Sequence, residues 1–354
     1  MTDDGAPEDN PGPIEVSLLT GFLGSGKTTL LNRLLRHAEM SETAVLINEF
    51  GDIGIDHELV EQVDETMIEL TTGCLCCAVQ GDLTRALREL FLRRVKGDCP
   101  PFRRVLIETT GLADPAPILH TLINDPVIAT RYFLDGVIST VDAVHGLGQL
   151  DRHEECRKQT AVADRIVITK SDLADEAALS ALEARIASLN PGAPRHRAVM
   201  GEIEPDALFG CGLYNPSGKS FDVRNWLRAE AFGQDHDHAD HDHHRHDGGI
   251  DSFCMIYDEP VDWAAFVAWI QTLITHRGEN LLRIKGIMNI AGEDAPIAIH
   301  GIQHMFHPPV RLPAWPSDDR RSRVVFITHE IDRREIEASL DALQQAAKET
   351  SDGA

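Results

Sequence analysis

The chain is short of basic residues and of long apolar runs. Its 354 residues include 33 Lys and Arg against 57 Asp and Glu, a formal charge of −24. A protein that holds nucleic acid by its phosphates needs the opposite charge, and an anionic membrane surface would repel this chain. No stretch approaches the roughly 18 consecutive apolar residues of a membrane-spanning helix. We therefore expect neither nucleic acid nor a membrane among its partners.

The amino-terminal segment lacks the apolar core of a secretory signal. Residues 1–13 are polar and acidic, which predicts a disordered lead and a cytoplasmic protein. Cysteine is also scarce, with seven residues in all, three of them within one Gly-Cys-Leu-Cys-Cys segment. In a reducing compartment, such a cluster indicates metal or redox chemistry rather than a disulfide framework.

Strand-like apolar runs alternate with helical patterns over residues 14–211. This alternation predicts an α/β domain with a mostly parallel sheet. Residues 212–250 are rich in Gly, Asn, Ser, Asp and His and are predicted to form a His-rich linker. Residues 251–347 return to strand and helix patterns, which predict a smaller α+β domain. Within it, Ile297–Phe306 is predicted as one strand.

A glycine-rich segment, Gly21–Thr28, stands between the first predicted strand and the first predicted helix. It fits G-x-x-x-x-G-K-[ST], the phosphate loop (P-loop) whose backbone N–H groups cradle phosphates. Lys27 is expected to reach the β- and γ-phosphates and Thr28 to hold Mg²⁺. The candidate nucleotide-binding residues here are Gly21, Gly24, Ser25, Gly26, Lys27, Thr28 and Thr29.

The segment Thr169–Asp172 indicates which base is bound. Asp172 can accept hydrogen bonds from guanine N1–H and its exocyclic amine, a donor pair that adenine lacks. Lys170 can pack its stem along the base. The segment resembles the N-K-x-D motif of GTPases, with Thr169 in place of Asn. A helix-capping role for Asp172 is the alternative, but together with the P-loop the segment favours GTP over ATP.

Glu108 follows a short apolar strand, Val105–Ile107. P-loop enzymes keep at this place the carboxylate that acts on Mg²⁺ or its water, and a helix N-terminus is the alternative interpretation. Gly111 is expected to offer its backbone N–H to the γ-phosphate. We predict Lys27 and Glu108 as catalytic residues. Turnover should be slow, because no Gln or Arg is an evident catalytic finger.

Cys74, Cys76 and Cys77 form a C-x-C-C cluster. Thiolates favour Zn²⁺, Cu(I) and similar ions. A closed structural zinc site would show a second Cys/His pair nearby, so the cluster predicts a labile metal site; free buried cysteines and a redox pair are the alternatives. The cluster lies in the stretch where P-loop switch proteins sense the γ-phosphate. Coupling between metal and GTP is therefore expected.

A low-complexity tract at residues 235–246 is rich in histidine. It is interpreted as a weak, multi-site metal reservoir, because neutral imidazole binds zinc, nickel and copper. A flexible acidic linker without a fixed role is the alternative. The candidate ligands are His236, His238, His241, His243, His244 and His246.

Five segments in chain order make the protein similar to CobW-type metallochaperone GTPases. They are GFLGSGKTTLLNRLL, INEFGDIGID, ELTTGCLCC, LIETTGLADP and VITKSDL, and Leu282–Gly286 with Ile302–His304 resembles the C-terminal domain of that family. The resemblance implies a G domain of the nickel-chaperone-like class that hydrolyses GTP slowly. It also implies Zn²⁺, or Co²⁺, held by the cysteine cluster and delivered to a client metalloenzyme.

The resemblance also assigns roles to single residues. Cys76 is implied as a metal ligand, with Cys74 or Cys77 beside it. Asp52 is implied as an oxygen ligand or as part of the Mg²⁺ site. Ile47 stands where relatives carry an acid, which argues against an auxiliary surface metal site.

Two rival functions use parts of the same sequence. A non-catalytic zinc buffer would bind metal through the histidine tract regardless of nucleotide. A small-molecule kinase would use the P-loop with ATP, and its choice of nucleotide would not depend on Asp172.

Overall fold

The computed structural model describes residues 13–48, 69–72, 79–211 and 249–351. Several predicted features lie outside the described residues, namely residues 1–12 of the lead, Asp52, the C-x-C-C cluster, and most of the linker with its six tract histidines. Among the described helices, none is long and apolar enough to cross a membrane.

The amino-terminal domain is built on a seven-stranded sheet in which every paired strand is parallel. The strand order is β3-β2-β4-β1-β5-β6-β7. The strands are β1 (Ile14–Gly21), β2 (Thr43–Asn48), β3 (Glu69–Thr72), β4 (Arg104–Glu108), β5 (Tyr132–Asp142), β6 (Arg165–Thr169) and β7 (Arg195–Arg197). Because β1 lies between β4 and β5, the P-loop that follows it is central at the carboxyl edge of the sheet.

Helices cover both faces of this sheet, so its strands form nearly continuous apolar runs. On one face Leu30, Leu31 and Leu34 of α1 pack against strand residues such as Leu19. On the other face α2, α3, α6 and α7 contribute to the larger core. The helices are α1 (Lys27–Leu34), α2 (Val79–Lys96), α3 (Ala116–Asn124), α4 (Pro126–Ala129), α5 (Gly146–Arg152), α6 (Glu154–Ala161) and α7 (Glu176–Leu189).

The carboxyl-terminal domain is an antiparallel sheet with two helices on one face. The strands are β8 (Ile250–Tyr257), β9 (Arg283–Met288), β10 (Ile297–Ile302), β11 (Met305–Phe306), β12 (Val310–Arg311) and β13 (Ser322–His329), in the order β11-β10-β9-β13-β8 with β12 paired to β10. Helices α8 (Trp263–Arg277) and α9 (Arg333–Ser351) meet where Trp269 donates from Nε1 to Ser339 Oγ at 2.9 Å. The predicted fold class, a P-loop α/β domain with a smaller α+β domain, is confirmed.

A buried ionic cluster joins the two domains; we call it the interdomain cluster and define it as Asp164, Arg283, Lys285, His300 and His307. Arg283 donates to the Val162 carbonyl and to the Asp164 carboxylate, and Lys285 donates to the same carboxylate at 2.7 Å. The rings of His300 and His307 stack with centroids 4.8 Å apart. Asp164 precedes β6, so the cluster lies at the amino edge of the parallel sheet, opposite the P-loop.

Candidate nucleotide site

The P-loop owes its shape to glycines in conformations that other residues resist. Gly24 and Gly26 have φ of +70° and +87°. Gly21, with φ of +142°, leaves no room for a side chain, because an added Cβ would lie 2.3 Å from Thr140 Oγ1. The loop ends at the N-terminus of α1, whose first turn contains no acidic residue. Backbone N–H groups and the helix dipole together favour an anion there.

Buried hydroxyl groups support this loop from below. Ser25 Oγ lies 2.6 Å from Thr140 Oγ1, and Thr109 Oγ1 donates to Thr20 Oγ1 at 3.0 Å. Lys27, itself buried, donates from Nζ to the carbonyl oxygens of Gly21 and Phe22 at 2.9 and 3.1 Å. The lysine is thus folded back over the loop, where its ammonium group can meet a bound phosphate.

Thr28 and Glu108 are brought together by the sheet. Thr28 Oγ1 donates to Glu108 Oε1 at 2.7 Å, although the residues are 80 positions apart. Glu108 is only 6% exposed and ends β4 rather than capping a helix. Hydroxyl and carboxylate oxygens are hard donors of the kind that Mg²⁺ prefers, so this pair fits the predicted magnesium site. Among the described residues no group of three or more His, Cys, Asp or Glu forms a metal site.

We call residues 109–113, which follow Glu108 at the end of β4, the β4 loop. The Thr109 backbone N–H donates to the Leu19 carbonyl at 2.9 Å, which ties the loop to β1. Gly111 lies directly against the P-loop, since an added Cβ would be 2.6 Å from the backbone nitrogen of Leu23. Gln159 of α6 contacts the loop from the other side. The β4 loop is therefore confined next to the predicted γ-phosphate position.

The base-recognition segment follows β6 at the same edge of the sheet. Thr169 Oγ1 donates to the Ser25 carbonyl at 2.7 Å and lies 3.5 Å from an added Cβ at Gly26, so this threonine ties β6 to the P-loop. Lys170 has φ of +55° and donates from Nζ to the Gly24 carbonyl at 2.8 Å. Asp172 is exposed, and the carboxylate that caps α7 is Asp175 instead.

Asp142 is a site residue that the sequence did not suggest. Its carboxylate accepts a hydrogen bond from Lys170 Nζ at 2.7 Å and from the amides of Val144 and His145. Burial raises the pKa of this carboxyl, but those hydrogen bonds outweigh burial and lower its pKa below the usual range. Asp142 ends β5, the neighbour of β1, and an acid directly after a long apolar strand was the signal available.

The described candidate residues therefore converge at one edge of the sheet. These residues all lie at or shortly after the carboxyl ends of β1, β4 or β6, namely the P-loop residues, Glu108, Gly111, Lys170 and Asp172. Thr140, Asp142 and Gln159 also belong to this edge by their contacts, and the sequence prediction missed them. The predicted site residues Cys74, Cys76, Cys77 and Asp52 lie outside the described residues.

Comparison with known proteins gives two domain matches. Residues 15–197 match the CobW/HypB/UreG nucleotide-binding domain. Residues 250–344 match the C-terminal domain of the cobalamin synthesis protein CobW.

Similar proteins cover nearly the whole chain. The zinc chaperone YjiA of Escherichia coli (strain K12) is 35% identical over 333 residues, which span 94% of this chain and 99% of YjiA. The zinc chaperone CobW of Sinorhizobium sp is 30% identical over 370 residues, with 94% and 98% covered. The crystal structure of Zn(II)-bound YjiA GTPase from E. coli is similar with a TM-score of 0.71 at 31% identity, and the match covers 94% of this chain and 99% of that one.

Proposed function

Because this chain belongs to the CobW/HypB/UreG family, we propose that it is a zinc metallochaperone that uses GTP hydrolysis to deliver Zn²⁺ to a client metalloenzyme. The family resemblance drawn from the motifs is confirmed, and the chain is a GTPase. Slow turnover, and Co²⁺ as the alternative to Zn²⁺ as cargo, are part of the proposal.

The observation that carries the proposal is the order of features along one edge of the sheet. The carboxyl end of β3 lies at the same edge as the P-loop, because all strands in this sheet are parallel. β3 ends at Thr72, and the C-x-C-C cluster begins two residues later. β3 is three strand positions from β1, a separation of roughly 14–15 Å. The described strand β3 thus ends at this edge two residues before Cys74 in the sequence.

Roles for the described residues follow from their positions. Lys27 and the P-loop N–H groups would hold the phosphates and offset the charge that develops in the transition state. Thr28 and Glu108 would hold Mg²⁺, which would neutralise part of the phosphate charge. Asp172 would select guanine, and Lys170 would pack against the base. Cys76, with Cys74 or Cys77, would carry Zn²⁺ as cargo.

The test is the GTPase rate with and without Zn²⁺ for wild type and for Cys76→Ala. We expect Zn²⁺ to change the wild-type rate and to leave the rate of Cys76→Ala unchanged, because coupling between the two sites requires the metal to bind at the cluster. Cys99→Ala is the matched control, because Cys99 is a partly exposed thiol outside the cluster. A wild-type rate that does not respond to Zn²⁺ would remove the coupling between metal and nucleotide.

The histidine tract supports one alternative function, a non-catalytic zinc buffer, which a deletion can test. A zinc buffer would lose most of its bound zinc when residues 235–246 are deleted, and nucleotide would not alter its stoichiometry. A chaperone that uses the tract as a reservoir keeps one tightly bound zinc after the deletion. Equilibrium dialysis with Zn²⁺, with and without GTP, separates the two.

A further inference from the structure

One side chain of α6 holds the β4 loop by two of its carbonyl groups. Gln159 Nε2 donates to the Gly111 carbonyl at 3.2 Å and to the Ala113 carbonyl at 3.0 Å. The residue is 1% exposed. One amide group that bridges carbonyls two residues apart fixes the orientation of the peptides between them. The direction of the N–H groups in this loop therefore depends on Gln159.

The β4 loop has little freedom to move without this contact changing. Gly111 also lies against the backbone of Leu23, since an added Cβ would be 2.6 Å from the Leu23 nitrogen. At its start, Thr109 is hydrogen-bonded to the carbonyl of Leu19. A displacement of Gly111 toward or away from a γ-phosphate must therefore lengthen or redirect the hydrogen bonds from Gln159.

Helix α6 contacts other parts of the molecule at both ends. At its start the ring of His153 stacks on Phe22 of the P-loop, with centroids 4.6 Å apart. After its end, the Val162 carbonyl accepts a hydrogen bond from Arg283 of the carboxyl-terminal domain. Asn190 Nδ2 fixes the same end by donating to the carbonyls of Thr160, Ala161 and Ala163 at 2.9–3.0 Å.

The interdomain cluster lies directly after this helix. Asp164 is two residues beyond Val162 and accepts hydrogen bonds from Arg283 and Lys285. All three side chains are almost completely buried. Closely packed, hydrogen-bonded elements of this kind shift together rather than deform independently.

We propose that Gln159 is a positioning residue that sets the β4 loop for GTP, and that α6 couples this loop to the interdomain cluster. The inference rests on the proposed GTPase function. GTP and GDP differ by the γ-phosphate, and Gly111 is the predicted γ-phosphate contact. Loss of the Gln159 amide should therefore weaken GTP binding and leave GDP binding nearly unchanged.

The first experiment compares two isosteric changes from amide to acid. Gln159→Glu and Asn190→Asp each remove buried donors from backbone carbonyls near α6, but only Gln159 contacts the β4 loop. Affinities for a fluorescent GDP and a fluorescent, slowly hydrolysed GTP analogue are measured by titration, with thermal unfolding as a check. We expect at least tenfold weaker binding of the GTP analogue by Gln159→Glu, with GDP affinity within twofold. Asn190→Asp leaves the hydrogen bonds to the β4 loop in place and acts only through the end of α6, so it should change the ratio of the two affinities far less than Gln159→Glu does.

An uncharged variant and a double variant complete the test. Gln159→Met is similar in size and uncharged, and it should show the same loss of affinity for the GTP analogue. It replaces Gln159→Glu if that variant fails to fold. Lys285→Met should change the ratio of GTP-analogue to GDP affinity at least threefold, and this change should disappear when Gln159 is already Met.

Three results would overturn these claims. Equal weakening of both nucleotides, or no change, in the Gln159 variants would overturn the positioning role. Additive effects in the double variant would overturn the coupling to the interdomain cluster. A wild type that binds GDP but not the GTP analogue would instead contradict the proposed function itself, so the failures are distinguishable.

Discussion

A lysine–aspartate ion pair lies at each end of strand β6, and the two pairs differ in how far their side chains are exposed to solvent. At the carboxyl end, Lys170 contacts Asp142 at 2.7 Å, and the side chains are 39% and 2% exposed. At the amino end, Lys285 contacts Asp164 at 2.7 Å, and the side chains are 11% and 3% exposed. The first lysine keeps part of its surface in solvent, next to the exposed Asp172, whereas the second is enclosed between two domains.

This difference in exposure distinguishes a ligand-binding site from the interdomain cluster, which holds the two domains together. A buried ion pair must be complete, because one partner left alone in a low dielectric is strongly destabilising. Burial opposes ionisation of Asp164, yet Arg283 and Lys285 hold the pKa of its carboxyl well below the usual range. A partly exposed lysine can exchange protein contacts for ligand contacts at little cost. We therefore expect changes at the amino end to act mainly on stability, with only the few-fold effect on nucleotide preference proposed above, and changes at the carboxyl end to act mainly on nucleotide binding.

The largest expected effect is on stability at the amino end. Asp164→Ala leaves Arg283 and Lys285 buried without their carboxylate and should lower the free energy of unfolding by about 3–5 kcal/mol. Urea denaturation measures the change. The exposed Arg333–Glu337 pair is the control, and Glu337→Ala should cost less than about 1 kcal/mol. An Asp164→Ala protein as stable as wild type would abolish the distinction between the two ends.

At the carboxyl edge, Lys27→Ala should act on catalysis. Removal of a preorganised charge from the transition state costs about 10²–10³ in rate, so GTP hydrolysis under single-turnover conditions should fall by that factor. The midpoint of thermal unfolding should change much less than in Asp164→Ala, since the described hydrogen bonds of Lys27 Nζ go to the loop carbonyls of Gly21 and Phe22. A rate that remains within threefold of wild type would contradict the assigned role.

A smaller effect is expected on the choice of base. Asp172→Asn replaces a charged acceptor of guanine, and hydrogen bonds to charged groups contribute about 1.5–3 kcal/mol. The preference for GTP over ATP should therefore fall roughly 10–100-fold in competition binding. Asp175→Asn is the neighbouring control, because Asp175 caps α7 through Ala178. Unchanged preference in Asp172→Asn would favour the kinase hypothesis.

The smallest expected effect is on the pH dependence of stability at the interdomain cluster. Burial, together with Arg283, lowers the pKa of His307 to about 4. The neutral ring therefore contributes stability that is present above the ordinary histidine pKa of roughly 6.5 and is lost as the pH falls toward 4. Between these two pH values, the free energy of unfolding of His307→Asn should fall by roughly 1–2 kcal/mol less than that of wild type. Urea denaturation at each pH measures the difference. A His307→Asn profile that matches the wild-type profile over this pH range would contradict the assignment to His307.

Much of the fold was predictable because its buried strands are apolar throughout. The runs at Ile14–Leu19, Val105–Ile107 and Arg165–Ile168 correspond to β1, β4 and β6. The elements missed were α4, α5, α6, β7 and β12. The helix α6 has the polar sequence EECRKQTA, and β7 is the edge strand Arg-His-Arg, so neither carries an apolar period of its own.

One predicted strand divides into two. Ile297–Phe306 was predicted as continuous, but β10 ends at Ile302 and β11 begins at Met305. Gln303 has φ of +52°, and the chain reverses there so that Ile302 pairs with Met305. Apolar residues continue through the turn, which is why periodicity could not reveal it.

By itself, the sequence determined the family, the P-loop and the residues able to carry GTP, Mg²⁺ and Zn²⁺ chemistry, since these depend on local spacing. The tertiary structure decided which distant groups share an environment. It brings Glu108 into a hydrogen bond with Thr28, Gln159 into one with Gly111, and the buried Asp164 into one with Arg283. No local pattern encodes such contacts, because they arise from the strand order of the sheet and from the way the second domain closes over its amino edge.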